Sequence, residues 1–107
     1  MFCIEKDNNN DYVFHLKSDD KHIIASSKPY SEISVIKQEI DYIIKNTNSD
    51  RIYERKTNKE GQFYFNILDT DLNTLAFSQL YTSKAGLENG LKAAKKFAQI
   101  NQIKNAF

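Results

Sequence analysis

This chain of 107 residues predicts an α+β fold: two tandem β-β-β-α repeats forming one curved antiparallel sheet packed against two helices. Three observations carry that prediction. The sequence repeats itself at a fixed offset, its aromatic residues alternate with the period of a strand, and each repeat closes on aliphatic residues spaced three and four apart.

The offset is 81 − 30 = 51, the separation of Tyr30 and Tyr81, and without a gap it also relates Phe14 to Phe65, Asp20 to Asp71, Ala25 to Ala76 and Ser27 to Ser78. Side-chain class is kept at Phe2 and Tyr53, Tyr12 and Phe63, Leu16 and Ile67, Ile24 and Leu75, and Ile36 and Leu87. Two halves of about fifty residues would each be marginal alone, and two repeats are too few for a solenoid, so the halves should share one core around a pseudo-two-fold axis. The chain then reads as a single domain over 1–107, with repeat one at 1–46, a polar linker at 47–51, repeat two at 52–100 and a C-terminal extension at 101–107.

The elements follow in order. Phe2-Cys3-Ile4-Glu5-Lys6 alternates as a half-buried strand and runs into the turn formers Asp7-Asn8-Asn9-Asn10-Asp11. In the next strand Tyr12, Phe14 and Leu16 fall on one face, as Phe63, Phe65 and Ile67 do in the second copy, and that face is the expected core. A third strand covers Ile23 to Ser27, after which Pro29 argues against continuation of the sheet. Ser31 is the expected N-cap of the first helix, with Tyr30 stapled onto Val35, and Ile33, Ile36, Ile40 and Ile43 form its buried stripe up to an end near Asn46. Thr82 or Ser83 should cap the second helix, whose stripe is Leu87, Leu91, Ala94 and Ala98, with Gly86 at the position of Val35.

Composition narrows the function classes. The hydrophobic content of 40%, with seven Phe and six Tyr, suffices for a core, and 15 basic against 14 acidic residues leaves a net charge of +1 that draws neither nucleic acid nor an anionic membrane. Cys3 is the single cysteine, so an internal disulfide is excluded and a reducing, cytoplasmic setting is expected. No apolar run approaches the roughly 20 residues that span a bilayer, and the N-terminus has no signal-peptide pattern, so no membrane partner is expected.

The aromatic strand FYFNIL (63–68) and the stretch LAFSQLYTSKAGLENGLKAAKK (75–96) resemble the YegP-like proteins, a bacterial family of unknown function. The first copy keeps Tyr12, Phe14, Leu16, Ala25, Ser27, Tyr30 and Ser31 but carries Gln38-Glu39 where the family has a helical Asn-Gly. Both copies replace the family's Asn-Gly hairpin turn, with Asp20-Lys21 and Asp71-Leu72. The resemblance implies a continuous antiparallel sheet curved around two helices and brings no activity or catalytic residues.

Candidate chemistry is sparse. Asp69-Thr70-Asp71-Leu72-Asn73 imitates the opening of a calcium loop, but the sixth position is Thr74 rather than Gly and the twelfth is Leu80 rather than Glu, so a polar turn is expected. His15 and His22 have Asn66 and Asn73 as repeat partners and no third ligand, Cys3 stands opposite Glu54, and Ser27 and Ser78 lack a base and an oxyanion site. No catalytic, cofactor or metal residues are therefore assigned.

Interaction candidates are clearer. Gly86 and Gly90 share a face of the second helix, where each glycine costs about 1 kcal/mol relative to alanine, so something should approach closely there: the rest of this chain or the backbone of a partner. Phe97, Ile100, Ile103 and Phe107 extend at helical spacing beyond the core stripe, whose continuation would be Asn101 and Asn105. They imply either an interface or a tail that bends to close one end of the sheet. Tyr64, flanked by Arg55 and Lys59, suggests a stacking platform for single-stranded nucleic acid as the alternative. The expected function is a non-enzymatic protein-interaction or oligomerisation module, with an unknown protein partner or a second copy as ligand.

Overall fold

The structure, a computed structural model, describes residues 1–100 and 102–107; residue 101, the first of the expected extension, lies outside the described residues. In chain order the elements are β1 (Phe2–Lys6), β2 (Tyr12–Asp19), β3 (His22–Ser27), α1 (Ile33–Asn46), a 3-10 turn (Asp50–Ile52), β4 (Tyr53–Thr57), β5 (Phe63–Leu68), β6 (Thr74–Ser78), α2 (Lys84–Ala98) and β7 (Ile103–Asn105). They build a seven-stranded sheet in the order β4-β5-β6-β3-β2-β1-β7. Every pair from β4 to β1 is antiparallel, but β7 lies parallel to β1, so the sheet is mixed rather than wholly antiparallel.

The halves join at β3 and β6. Ser26 pairs with Phe77, and because 77 − 26 = 51 this pair sits on the pseudo-two-fold axis, flanked by Ala25 with Ser78 and Ser27 with Ala76. One core spans the junction, as the small size of each half requires. Phe14 and Phe65 are both 0% exposed, and each meets an equivalent ring edge-on: Phe2 at 5.8 Å and Tyr53 at 6.0 Å. Ile36, Ile40 and Ile43 of α1 and Leu87, Leu91, Ala94 and Ala98 of α2 close the core, as their spacing predicts. Repeat one slips register between Lys17 and Asp19, and both repeats slip at the equivalent step, between Leu16 and Lys17 and between Ile67 and Leu68. This bulge lets consecutive residues, Ile24 with Ala25 and Leu75 with Ala76, both enter the core.

The repeated serines have a structural task. Ser27 Oγ accepts the Phe14 N–H at 2.9 Å and donates to the Lys28 carbonyl, and Ser78 Oγ does the same for Phe65 and Gln79. Each hydroxyl replaces a ladder bond where the strand bends away, before Tyr30 and Tyr81 return to bridge Tyr12 and Phe63. Three hairpins share one turn, in which an Asx side chain gathers backbone amides (Asp7, Asn58, Asp69) and the fourth residue is left-handed. That residue is Asn10, Gly61 or Leu72, with φ of 63°, 79° and 67°.

Helix starts differ from expectation in one copy. Ser83 caps α2 by accepting the Gly86 N–H at 3.0 Å, but α1 starts after Glu32 with no side-chain cap, and Ser31 lies one residue outside. The offset explains the correction, since Glu32 occupies the place of Ser83 and Ser31 that of Thr82. The polar stretch 47–51 is more than a tether: Thr47 is buried with its hydroxyl 2.8 Å from that of Tyr53, and Asp50 pairs with Lys95.

The C-terminus also departs from the helical reading. α2 stops at Ala98, and the chain returns beside β1, where Phe2 N–H donates to the Gln102 carbonyl at 3.0 Å and Ala106 N–H to the Ile4 carbonyl at 2.8 Å. A strand here satisfies backbone groups that a bare β1 edge would leave to solvent, which a longer helix would not do.

Candidate interaction edge

The two repeats place equivalent strands, β1 and β4, towards opposite ends of the sheet, and only one of the two is covered. On β1, Ile103 stands beside Phe2 and Asn105 beside Ile4, and the Phe107 ring meets Tyr12 edge-on at 5.2 Å. The offset maps Phe2, Ile4 and Tyr12 onto Tyr53, Arg55 and Phe63. Phe65 N–H is bound to Ser78 Oγ and Phe63 N–H to the Tyr81 carbonyl, both away from β4. By the alternation of an antiparallel ladder, the backbone groups of their partners Arg55 and Thr57 point outward from the sheet edge. Among the described residues no strand pairs with that outer side of β4. Its first amide, Tyr53 N–H, turns back onto the Asp50 carbonyl.

Beside this edge lies a cavity of about 260 Å³ lined by Arg55, Lys56, Thr57, Phe63, Lys84, Leu87 and Glu88. Phe63 and Leu87 are its apolar parts, and Phe63 occupies the place that Tyr12, the seat of Phe107, has in repeat one. Arg55 holds Glu88 through Nε at 2.7 Å and Nη2 at 3.0 Å, and this bond keeps the Glu88 carboxyl below its usual range. Both side chains are about half exposed, so the pair fixes geometry more than it stabilises the fold. Among the described residues neither Lys56 nor Lys84 has an acidic partner; Arg55 and Lys84 against Glu88 leave the cavity net positive, and Lys56 adds a charge to the opposite face of the same edge.

The other candidate residues are dispersed. Gly86 and Gly90 are covered from within the chain: a Cβ added at Gly90 would lie 2.1 Å from the Tyr81 hydroxyl oxygen, and one at Gly86 would lie 3.2 Å from Ser83 Oγ and 3.5 Å from the Tyr81 ring. The close approach that their spacing predicts is therefore made by a tyrosine. Phe97 packs half-buried against the core, Ile100 is exposed just past α2, and Ile103 and Phe107 belong to the strand and tail along β1, so the four do not form one helical stripe. Tyr64 and Arg55 lie on opposite faces of the sheet, since Arg55 pairs with the core residue Phe65 and Tyr64 with Lys56; Lys59 is in the intervening turn. The stacking platform thus lacks its arginine. The acidic turn is an Asx arrangement in which Asp69 accepts from the Asp71 and Asn73 amides, and His22 is held by Asp19.

One constellation escaped the sequence reading. On the face away from the helices, His15 Nδ1 lies 2.7 Å from Ser26 Oγ and Nε2 lies 2.9 Å from Glu5 Oε2, beside the buried Cys3. The order resembles a serine-base-carboxylate chain, but Ser26 sits in the central strand pair, where ladder pairing on both sides takes the amides that an oxyanion site would use. Alternation places His15 and Glu5 off the core face; their meeting with Ser26 needed the register of three strands.

Fold and edges together define a tandem-repeat α+β protein whose sheet ends in β4 on one side and in the short, exposed β7 laid along β1 on the other. The family described as "Domain of unknown function (DUF1508)" matches residues 7–54 and 58–105, two copies again offset by 58 − 7 = 51, and the chain belongs to it. It is 26% identical over 104 residues to the UPF0339 protein YegP of Escherichia coli (strain K12), covering 97% of this chain and 94% of that one. It is 29% identical over 97 residues to a UPF0339 protein in the ptx operon 5' region of Stutzerimonas stutzeri, covering 91% and 87%. The solution NMR structure of the UPF0339 protein SO3888 from Shewanella oneidensis superposes with a TM-score of 0.91 at 25% identity, over 97% of this chain and 88% of that one. That of the E. coli protein yegP, itself of unknown function, gives 0.90 at 26% identity, over 97% and 90%.

Proposed function

We propose that the protein is a non-enzymatic, cytoplasmic interaction module that binds a partner by strand addition at β4. The observation that carries this reading is the inequality of the two edges: β1 has its seventh strand, and β4 presents the same outward backbone groups with none among the described residues. Open edges that serve no partner are usually bulged, shortened, covered or charged, because unpaired strand backbone recruits other chains; β4 runs in unbroken register over five residues and carries Arg55 and Lys56, whose charge restricts the partners it can admit. A small net charge and a buried lone cysteine suit a protein that works by shape in a reducing compartment.

The test is photo-crosslinking in cells, with a benzophenone amino acid at Lys56 on β4 and, in a second strain, at Lys104 on the short terminal strand β7. Discrete adducts from position 56, weakened when Thr57→Pro is added, are expected, with few from position 104. Equal adduct patterns from the two positions, or none from position 56, would remove the edge from consideration.

A further inference from the structure

We propose that the ligand of β4 is an extended acidic peptide of a partner protein, running parallel to β4, with an aromatic side chain on Phe63 and carboxylates against Arg55, Lys56 and Lys84. The inference rests on β4 being an interaction edge and adds the direction, register and chemistry of what binds there.

Direction and register come from the molecule's own example. β7 lies parallel to β1, enters with a carbonyl on the Phe2 amide, leaves with an amide on the Ile4 carbonyl, and sets an aromatic ring on Tyr12 two residues beyond the last paired position. The Arg55 carbonyl and the Phe63 ring occupy the places of the Ile4 carbonyl and the Tyr12 ring, and the cavity at Phe63 has room for a side chain; the Tyr53 amide, in the place of Phe2, is held by the Asp50 carbonyl, so the ligand's ladder begins at Arg55.

Chemistry comes from what the second repeat changed. At the offset of 51, Ile4 becomes Arg55, Glu5 becomes Lys56 and Ile33 becomes Lys84, whereas the apolar floor persists as Ile36 becomes Leu87 and Tyr12 becomes Phe63. A seat built for an apolar tail has acquired a cationic rim. The chain's own residues 102–107 contain Lys104 and no acid, so a second copy's tail does not complement that rim. Antiparallel pairing of two β4 strands centred on Arg55 would set the two guanidinium groups directly opposite, which is destabilising, with Lys56 facing Glu54, and a pairing centred on Lys56 would set the two ammonium groups opposite. A polynucleotide supplies charge but no amide and carbonyl ladder for the outward groups of Arg55 and Thr57.

The probe is a fluorescein-labelled, C-terminally amidated peptide, Gln-Ile-Lys-Glu-Asp-Phe, which follows the β7 register with acids placed against Arg55 and Lys56. Fluorescence anisotropy should give micromolar binding that weakens with salt, at least tenfold weaker binding when Lys replaces both acids, and amide shifts confined to β4, Phe63 and Leu87. Lys56→Glu with Lys84→Glu should reverse the preference between the two peptides. Thr57→Pro, at an outward amide that an edge strand can lose, should abolish binding with the circular dichroism unchanged. Equal binding of the acidic and basic peptides, no binding of either, or binding indifferent to Thr57→Pro would overturn the proposal. Displacement by oligothymidine but not by unlabelled peptide would assign the rim to nucleic acid, and a dimer broken by Thr57→Pro yet unaffected by peptide would assign the edge to a second copy; either also overturns it. Crosslinks at position 56 in cells with no peptide binding would defeat the acidic chemistry alone and leave the interaction edge standing.

Discussion

The two tyrosines that begin the last part of each repeat occupy matched backbone positions in unlike seats. Tyr81 lies over Gly86 and Gly90, close enough that a methyl group at Gly90 would strike the phenol. At the same places repeat one has Val35 and Glu39, and the Tyr30 hydroxyl is buried without a hydrogen-bond partner. Burial raises its pKa to about 12, with the carboxylates of Glu39 and Asp69 adding to the rise. Burial, then Asp69, also raises the Glu39 carboxyl, against the pull of Lys28. Residues shared by the repeats fix the strands and core, whereas the unmatched residues decide which surfaces stay open. The bare β4 edge against the covered β1 edge is the same lesson on a larger scale.

The shared core gives the largest effect with which to test the comparison. Phe14→Ala and Phe65→Ala should each cost about 3–5 kcal/mol in urea unfolding, with one transition for the whole chain. Two separate transitions would show that the repeats are independent. Deleting residues 102–107 bares β1 and should cost about 2–3 kcal/mol, from lost ladder bonds and the half-covered Ile103 and Phe107, while leaving a folded protein. An unchanged urea midpoint would mean that β7 does not hold its edge.

The tyrosine seats come next. Gly90→Ala should cost about 1–3 kcal/mol by overpacking, although alanine is the better helix former, whereas Glu39→Ala at the half-buried equivalent position should stay within about 1 kcal/mol. A Tyr81→Leu background should erase the difference; if Gly90→Ala instead stabilises the protein, the phenol does not set the glycine. Leu72 is 73% exposed and left-handed at the position that Gly61 holds in another turn. Leu72→Gly should therefore raise stability by about 0.5–1 kcal/mol on thermal unfolding, the relief of left-handed strain net of glycine's entropy. The smallest effect is Tyr30→Phe, expected to be near neutral at pH 7. The folded state holds the Tyr30 proton more tightly than the unfolded chain, so this group's contribution is intact below pH 10 and is lost as pH rises towards about 12. The variant should lose stability less steeply over that range, and parallel curves for the two proteins would contradict the buried phenol.

The sequence by itself determined the offset of 51, the order of the first six strands and two helices, the aromatic core face and a cap for α2 at Thr82 or Ser83, because those follow from spacings of two, three and four residues within one segment. Other features needed distant segments. Phe97, Ile100, Ile103 and Phe107 satisfy a helical spacing, but Ile103, Asn105 and Phe107 satisfy a strand's alternation equally well, and only the uncovered β1 edge selects the second. Arg55 and Tyr64 look like neighbours until the β4 to β5 register assigns them to opposite faces. The tertiary structure decided these points because a periodicity is written in the chain's own geometry, whereas the surface that a residue covers depends on which remote backbone groups and apolar atoms would otherwise stay in water.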